Sequence, residues 1–315
     1  MSLNFDKTRQ MLVAQPISVQ QLSSPLLTEK GVRMAVLRLD QIHGTVSGNK
    51  FFKLKHNLVE ARRLGKNLIL TFGGAFSNHI FATSSAARAA GLQSIGIIRG
   101  EDGDIRNPTL AHARKMGMKL HFVDRETYRN KNSPKFLDEL TTLFGDFYLI
   151  PEGGTNGLAI AGTKEIITEE HSTYSHVCVS IGTGGTVAGL AGSIHDQQGL
   201  IGFSSLKGEF IRKEISELMA FHQINLRGKL EIRTDYHFGG YGKVKPELIE
   251  FMRWFYSEFQ IPLDPVYTGK MAFGVWDLIQ KDHFPLGAHI LMVHTGGLQG
   301  NAGFFVQTGI DLPTT

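Results

Sequence analysis

The spacing of apolar positions switches repeatedly between strand and helix along the chain. Leu68-Ile69-Leu70-Thr71-Phe72 is a short apolar run closed by Gly73-Gly74, which reads as a buried strand. The alanine-rich stretch from Ser77 to Leu92 predicts a helix with Ser77 or Asn78 near its N-cap. Strand signals return at Ser94 to Arg99, Lys119 to Val123 and Phe147 to Ile150. Helices are predicted between them, from Asn107-Pro108 to near Gly117, with proline at the first turn, and from Pro134 to Phe144. The series goes on with a helix over Leu158 to Glu170, a strand over His176 to Ile181 and a helix to about His195. A strand over Leu200 to Leu206 precedes amphipathic helices over Glu209 to His222 and Lys245 to Phe259. A helix over Gly269 to Lys281 and a strand over His289 to His294 close it. Such βα alternation means parallel sheets covered by helices. No repeat, low-complexity tract or linker interrupts it, so two α/β lobes without a flexible tether are expected.

Composition sharpens this picture at one point, glycine. The 315 residues include 36 glycines, about 11% against a usual share near 7%. Many stand where strands end, in Gly73-Gly74, in Gly182-Thr183-Gly184-Gly185-Thr186 and in Thr295-Gly296-Gly297. Ligands of parallel sheets bind beyond the carboxyl ends of strands, and glycine lets backbone approach them closely. Free N–H groups at a helix start favour anions. Residues 182–186 are therefore either a tight strand-to-helix turn or a cup for one phosphate, held by backbone N–H groups and the hydroxyls of Thr183 and Thr186. A dinucleotide fingerprint would need glycine where Val187 stands, and a P-loop would need a lysine after the glycines.

Other classes are set aside on similar grounds. A net charge of +4 without a basic run argues against nucleic-acid binding. No stretch approaches the length of a membrane span, and MSLNFDKTRQMLV lacks the apolar core of a signal peptide. The single cysteine, Cys178, sits inside an apolar run and reads as a small buried hydrophobe in a reducing, cytoplasmic compartment. The 13 histidines form no metal-binding pattern, so no metal is expected; His171, His176, His283 and His289 read as surface or strand-edge residues. Ser77 is not in a Gly-x-Ser-x-Gly elbow, which argues against a Ser-His-Asp hydrolase. Met252, Trp254, Phe255, Tyr256 and Phe259 have helical spacing and read as core or subunit contact.

Lys50 follows a turn in Ser47-Gly48-Asn49-Lys50-Phe51-Phe52-Lys53. Alone it reads as a solvated basic helix start. Flanked by Asn49 and two phenylalanines it can be partly desolvated, which favours the neutral amine and makes it a candidate Schiff-base nucleophile.

Six motifs occur in order: Gly48-Asn49-Lys50, Lys53-Leu54, Gly73-Gly74-x-x-Ser77-Asn78-His79, Gly182 to Thr186, Asp264-Pro265-Val266-Tyr267-Thr268-Gly269-Lys270 and His294 to Gly297. The set resembles the 1-aminocyclopropane-1-carboxylate (ACC) deaminase / D-cysteine desulfhydrase family, over residues 36 to 300. The resemblance implies a two-domain α/β fold of the tryptophan-synthase-β-like type (fold type II). A large domain would come from residues 1–51 and 155–315 and a small one from 52–154. The implied cofactor is pyridoxal 5′-phosphate (PLP). Lys50 would hold it covalently, Gly182, Thr183, Gly184, Gly185 and Thr186 its phosphate with Lys53 helping, and Thr268 and Thr295 its pyridine end. Ser77, Asn78 and His79 would meet the substrate, with Asn78 also at the ring hydroxyl. Ser77 matches the family's proposed active-site serine, and Tyr241 and Tyr267 its two active-site tyrosines. A small amino-acid substrate and a homodimer are implied as well. Phe52 stands where the family usually has arginine, Phe76 where it has glutamine, and the loop after Arg38-Leu39-Asp40 is shorter.

The two activities of that family need different electronics. Opening the ring of ACC, which has no α-hydrogen, favours a protonated pyridine nitrogen beside a carboxylate. ACC deaminases place glutamate and leucine where this chain has Thr268 and Thr295. Threonine hydroxyls make a weaker sink, sufficient when an acidic α-hydrogen is removed and a good β-substituent leaves. The expectation is α,β-elimination, with D-cysteine giving pyruvate, sulfide and ammonia. ACC deaminase is the alternative; a racemase or a sulfo-amino-acid lyase would use the same fold. From another class, a non-catalytic PLP or amino-acid binding protein remains open.

Overall fold

The computed structural model describes residues 12–101 and 106–314. Most of the stretch read for a signal core, residues 1–11, lies outside them. Among the described residues ten strands run in chain order: β1 (Val19–Leu22), β2 (Arg33–Leu37), β3 (Leu68–Gly74), β4 (Gln93–Arg99), β5 (Lys119–Val123), β6 (Tyr148–Ile150), β7 (His176–Ile181), β8 (Gly199–Ser204), β9 (Lys229–Arg233) and β10 (His289–Val293). The helices are α1 (Pro25–Glu29), α2 (Asn49–Arg63), α3 (Asn78–Ala89), α4 (Pro108–Lys115), α5 (Arg125–Arg129), α6 (Pro134–Phe144), α7 (Gly157–Thr163), α8 (Gly185–Ala191), α9 (Phe210–Phe221), α10 (Pro246–Phe259), α11 (Thr268–Gln280) and α12 (Gly300–Thr308).

Two sheets result. One has six strands in the order β1-β2-β10-β7-β8-β9, the other four in the order β5-β4-β3-β6. All pairs are parallel except β1 with β2. The smaller sheet draws its strands from residues 68–150, and the larger takes its strands from both sides of that span. The chain is thus the mixed α/β, parallel-sheet architecture that the alternation predicts.

The apolar strands have a direct reason. In the larger sheet the two-residue period sorts Ala35, Leu37, Val177, Val179 and Leu291 to one buried face, and Met34, Val36, Cys178, Ile290 and Met292 to the other. Cys178 is fully buried among these, and burial pushes its thiol far up, so it is inert. Met252, Phe255 and Phe259 of α10 join the second face, while Trp254 is 38% exposed.

Some boundaries differ from the sequence pattern. The helix expected over 158–170 stops at Thr163, whose hydroxyl bonds back to Ile160 O (3.1 Å) and Gly185 O (3.2 Å). The β-branched run Ile166-Ile167-Thr168 then leaves the helix, and both isoleucines enter the core. Thr168 caps a short 3-10 turn, Glu169–His171. His171 is consequently buried rather than at the surface, its Nδ1 accepting the Thr168 N–H at 3.1 Å. The helix expected to reach His195 ends at Gly192. Strands β1, β2 and β9, with helices α1 and α12, carry no strong periodicity and are seen only in the structure.

Candidate active site

The carboxyl ends of β3, β7 and β10 converge on one cavity of about 540 Å³. Helix α2 enters it from the side. Gly48 makes that entry possible, with φ +65° and its Cα against the loop after β10: a Cβ there would lie 1.9 Å from Thr295 O. Asn49 N–H donates to that same carbonyl at 3.2 Å. The turn delivers Lys50 to the cavity, where its Nζ donates to Asn49 Oδ1 at 3.3 Å. The Asn49 amide in turn donates to Thr186 Oγ1 at 2.8 Å, joining the lysine to the glycine turn. Burial lowers the Lys50 amine to about 8, opposed by the pull of the Asp264 carboxylate.

The glycine turn after β7 forms the next wall. Gly182, Thr183, Gly184 and Thr186 line it, with Gly184 at φ +81°. Gly185 stands just behind, where an added Cβ would lie 3.1 Å from Lys53 Nζ. Lys53 is 2% exposed, and its Nζ donates to Gly153 O (3.0 Å) and Thr155 Oγ1 (3.1 Å). Thr155 Oγ1 lies 2.7 Å from Thr183 Oγ1. Burial, with Lys50 nearby, drives the Lys53 amine well below its ordinary range. A bound dianion would restore the charge.

Opposite, Ser77 caps α3, its Oγ accepting from His79 N (3.2 Å) and Ile80 N (3.3 Å). Asn78 Oδ1 accepts from Gln299 Nε2 at 3.0 Å. His79 is 2% exposed. Its Nε2 lies 2.8 Å from Thr71 Oγ1, whose proton goes to Ile150 O at 2.8 Å. That arrangement makes Nε2 the donor, and burial with two nearby lysines keeps the ring neutral. Phe76 lines the cavity, whereas Phe52 is turned into the core.

Tyr241 and Tyr267 meet edge to face with centroids 6.0 Å apart. Tyr267 packs over Gly182, where a Cβ would be 3.1 Å from its ring. Burial raises the Tyr267 phenol far above its ordinary range, and partial desolvation of the half-exposed Tyr241 raises its phenol too, so both stay protonated at neutral pH. Thr295 lines the cavity and its hydroxyl lies 3.0 Å from that of Ser180. Thr268 does not reach the lining: it is fully buried and its hydroxyl donates to Asp264 Oδ2 at 2.7 Å. The sequence pattern missed Ser180, Arg99, Glu152 and Gln299, which also line the cavity. Ser180 and Arg99 look like ordinary strand positions, and Glu152 and Gln299 like loop residues.

The donor set fits PLP. It combines one desolvated amine, a glycine turn that side chains would fill, and a second lysine beside it. A family model described as pyridoxal-phosphate dependent enzyme matches residues 16–296. The chain belongs to that family and is a PLP-dependent enzyme of fold type II. It is 31% identical over 285 residues to a Pyrococcus horikoshii protein provisionally named a 1-aminocyclopropane-1-carboxylate deaminase, covering 86% of each chain. It is 29% identical over 308 residues to a D-cysteine desulfhydrase of Klebsiella pneumoniae, covering 91% of this chain and 93% of that one. The crystal structure of an ACC deaminase homologue superposes with a TM-score of 0.80 at 28% identity, covering 94% of both chains.

Proposed function

We propose that the enzyme is a lyase that removes the α-proton and β-substituent of a small amino acid, with D-cysteine giving pyruvate, sulfide and ammonia. Bound PLP supplies the electron sink that makes the α-proton acidic. Lys50 would hold the cofactor, and its amine would serve as the base at the α-carbon, because both tyrosines stay protonated. Their hydroxyls hold or donate a proton toward the departing β-substituent. Ser77 and Asn78, at the start of α3, bind the substrate carboxylate, while the His79 N–H stays with the Ser77 cap. Lys53 and residues 182–186 hold the phosphate.

The observation that carries elimination over ring opening is the hydroxyl pair Ser180–Thr295 on the cavity wall. It can bond a neutral pyridine nitrogen but cannot hold a proton on it. The nearby Asp264 carboxylate is already taken up by the N–H groups of Val266, Tyr267 and Thr268 and by the Thr268 hydroxyl. Relatives named for ACC deaminase support the second reading, ACC deamination, as those named D-cysteine desulfhydrase support the first. The deciding experiment assays keto acid and ammonia from D- and L-cysteine, β-chloroalanine, serine and ACC on PLP-loaded protein. Release of pyruvate from cysteine or β-chloroalanine but nothing from ACC is expected. Turnover of ACC alone selects the second reading, and no turnover of any substrate refutes both. We also propose a cytoplasmic homodimer, which light scattering would show at twice the chain mass. Among the described residues no helix is long and apolar enough to cross a membrane.

A further inference from the structure

We propose that Lys270 is a positioning residue whose buried ammonium ties the loop carrying Tyr241 to helix α11 beside the cavity. This rests on the lyase reading above, in which Tyr241 serves the reaction. Lys270 is 1% exposed and does not line the cavity. Its Nζ donates to His237 O at 2.9 Å and to Gly240 O at 2.8 Å. No carboxylate forms an ion pair with it among the described residues; Asp264 acts on it only at longer range.

Two features make this placement costly and therefore informative. A lysine removed from water must have its charge offset. Lys270 also stands in the first turn of α11, where the helix dipole disfavours a cation. What offsets both is a pair of backbone carbonyls belonging to one loop. That loop has little structure of its own. Phe238, Gly239, Gly240 and Gly242 have φ values of +52°, +100°, +119° and +67°. Its internal bonds are Gly240 N–H to His237 O and Lys243 N–H to Gly240 O, both 3.0 Å, and Gly239 N–H to His237 Nδ1 at 2.8 Å. The Phe238 ring packs on Phe273 at 4.9 Å, one turn along α11 from Lys270. The glycine part beyond Phe238 is held by Lys270. Tyr241 follows directly, half exposed, with its ring against Tyr267. Tyr267 is itself the residue that opens α11. One helix therefore sets both tyrosines, Tyr267 as its N-cap and Tyr241 through the ammonium.

The test is a double-mutant cycle on the PLP-loaded enzyme with β-chloroalanine, reading pyruvate release. Lys270→Met keeps the volume and removes the charge. We expect kcat to fall about ten- to a hundredfold, as for a misplaced catalytic group, with the cofactor's visible band unchanged. In a Tyr241→Phe background the same change should cost less than about twofold. Equal losses in both backgrounds, or no loss in the parent, overturn the proposal. Hydrogen exchange gives a readout without turnover. Peptides covering 237–243 should exchange faster in Lys270→Met holoenzyme, while those of α11 do not. If no substrate is turned over, the lyase reading fails and exchange alone decides the tether; unchanged exchange refutes it. Lys270→Ala leaves room for ethylammonium, which should slow that exchange again and restore part of kcat saturably. Insolubility of both variants even with ethylammonium also counts against it, because a tether to one loop leaves the core intact.

Discussion

At Lys50 burial lowers the amine from 10.5 to about 8, which fixes two expectations of opposite kind. Capture of PLP needs the neutral amine, so its rate in cofactor-free protein should rise about tenfold per pH unit up to about pH 8 and then level off. A rate flat between pH 6 and 8 in stopped-flow absorbance would contradict this. The same burial costs stability. Between about pH 8 and 10.5 the unfolded chain binds more protons at this site than the folded one, so stability rises with pH there. Below pH 8 both states are protonated and the penalty is present in full. Lys50→Met should therefore stabilise the cofactor-free protein by roughly 3 kcal/mol at pH 7, with the advantage fading toward pH 10.5, as urea denaturation would show. It should also abolish borohydride-reducible PLP. The glycine cluster is legible because it stands where a strand ends, whereas Lys50 and Ser77, which alone read as a helix start and an N-cap, are marked by the family resemblance. Ser180 is not legible, since a serine inside an apolar strand announces nothing until Thr295 is brought beside it. Thr268 shows the converse: its motif suggests a cofactor contact, yet the hydroxyl is taken up by Asp264, four residues away.

Helix α2 connects that chemistry to the fold, and two glycines set its position. At Gly48 the left-handed backbone and the Thr295 carbonyl exclude a side chain; at Gly162, in α7, a Cβ would fall 2.0 Å from Phe52 O of α2. Gly48→Ala should destabilise the protein by roughly 2–4 kcal/mol through combined strain and overpacking and displace Lys50. Denaturation together with the visible absorbance of the loaded protein checks both. A variant that loads PLP normally would mean that the entry turn can be rebuilt. The periodic pattern could not supply this packing. It found long helices such as α6 and α10 closely, because Ser133-Pro134 and Lys245-Pro246 punctuate strong amphipathic runs. It overran α7 and α8, where β-branched residues or glycine end the helix inside an apolar stretch, and apolar content alone does not mark an end.

On the scale of the whole chain, the alternation of strands and helices predicts two α/β lobes but not how they are joined. The joint is a continuous core. Leu54 and Leu58 of α2 share one buried cluster with Ala35, Leu37, Val177 and Leu291 of the larger sheet and with Ile69 and Ile150 of the smaller. We propose that residues 52–154 form a small domain that is nevertheless part of one cooperative unit, since neither sheet can leave without opening that cluster. Both tryptophans lie on the larger sheet's side: Trp276 belongs to its outer cluster and Trp254 packs on it at 4.8 Å. Fluorescence therefore reports that side, and far-UV circular dichroism reports both. In denaturant the two signals should follow a single coincident transition. PLP at a hundred times its dissociation constant should raise the stability read by both probes by about 2.7 kcal/mol, because its expected contacts come from both sheets. A biphasic circular dichroism curve, with fluorescence following one phase only, would instead mean that the small domain unfolds on its own and that the shared cluster is too weak to bind the lobes.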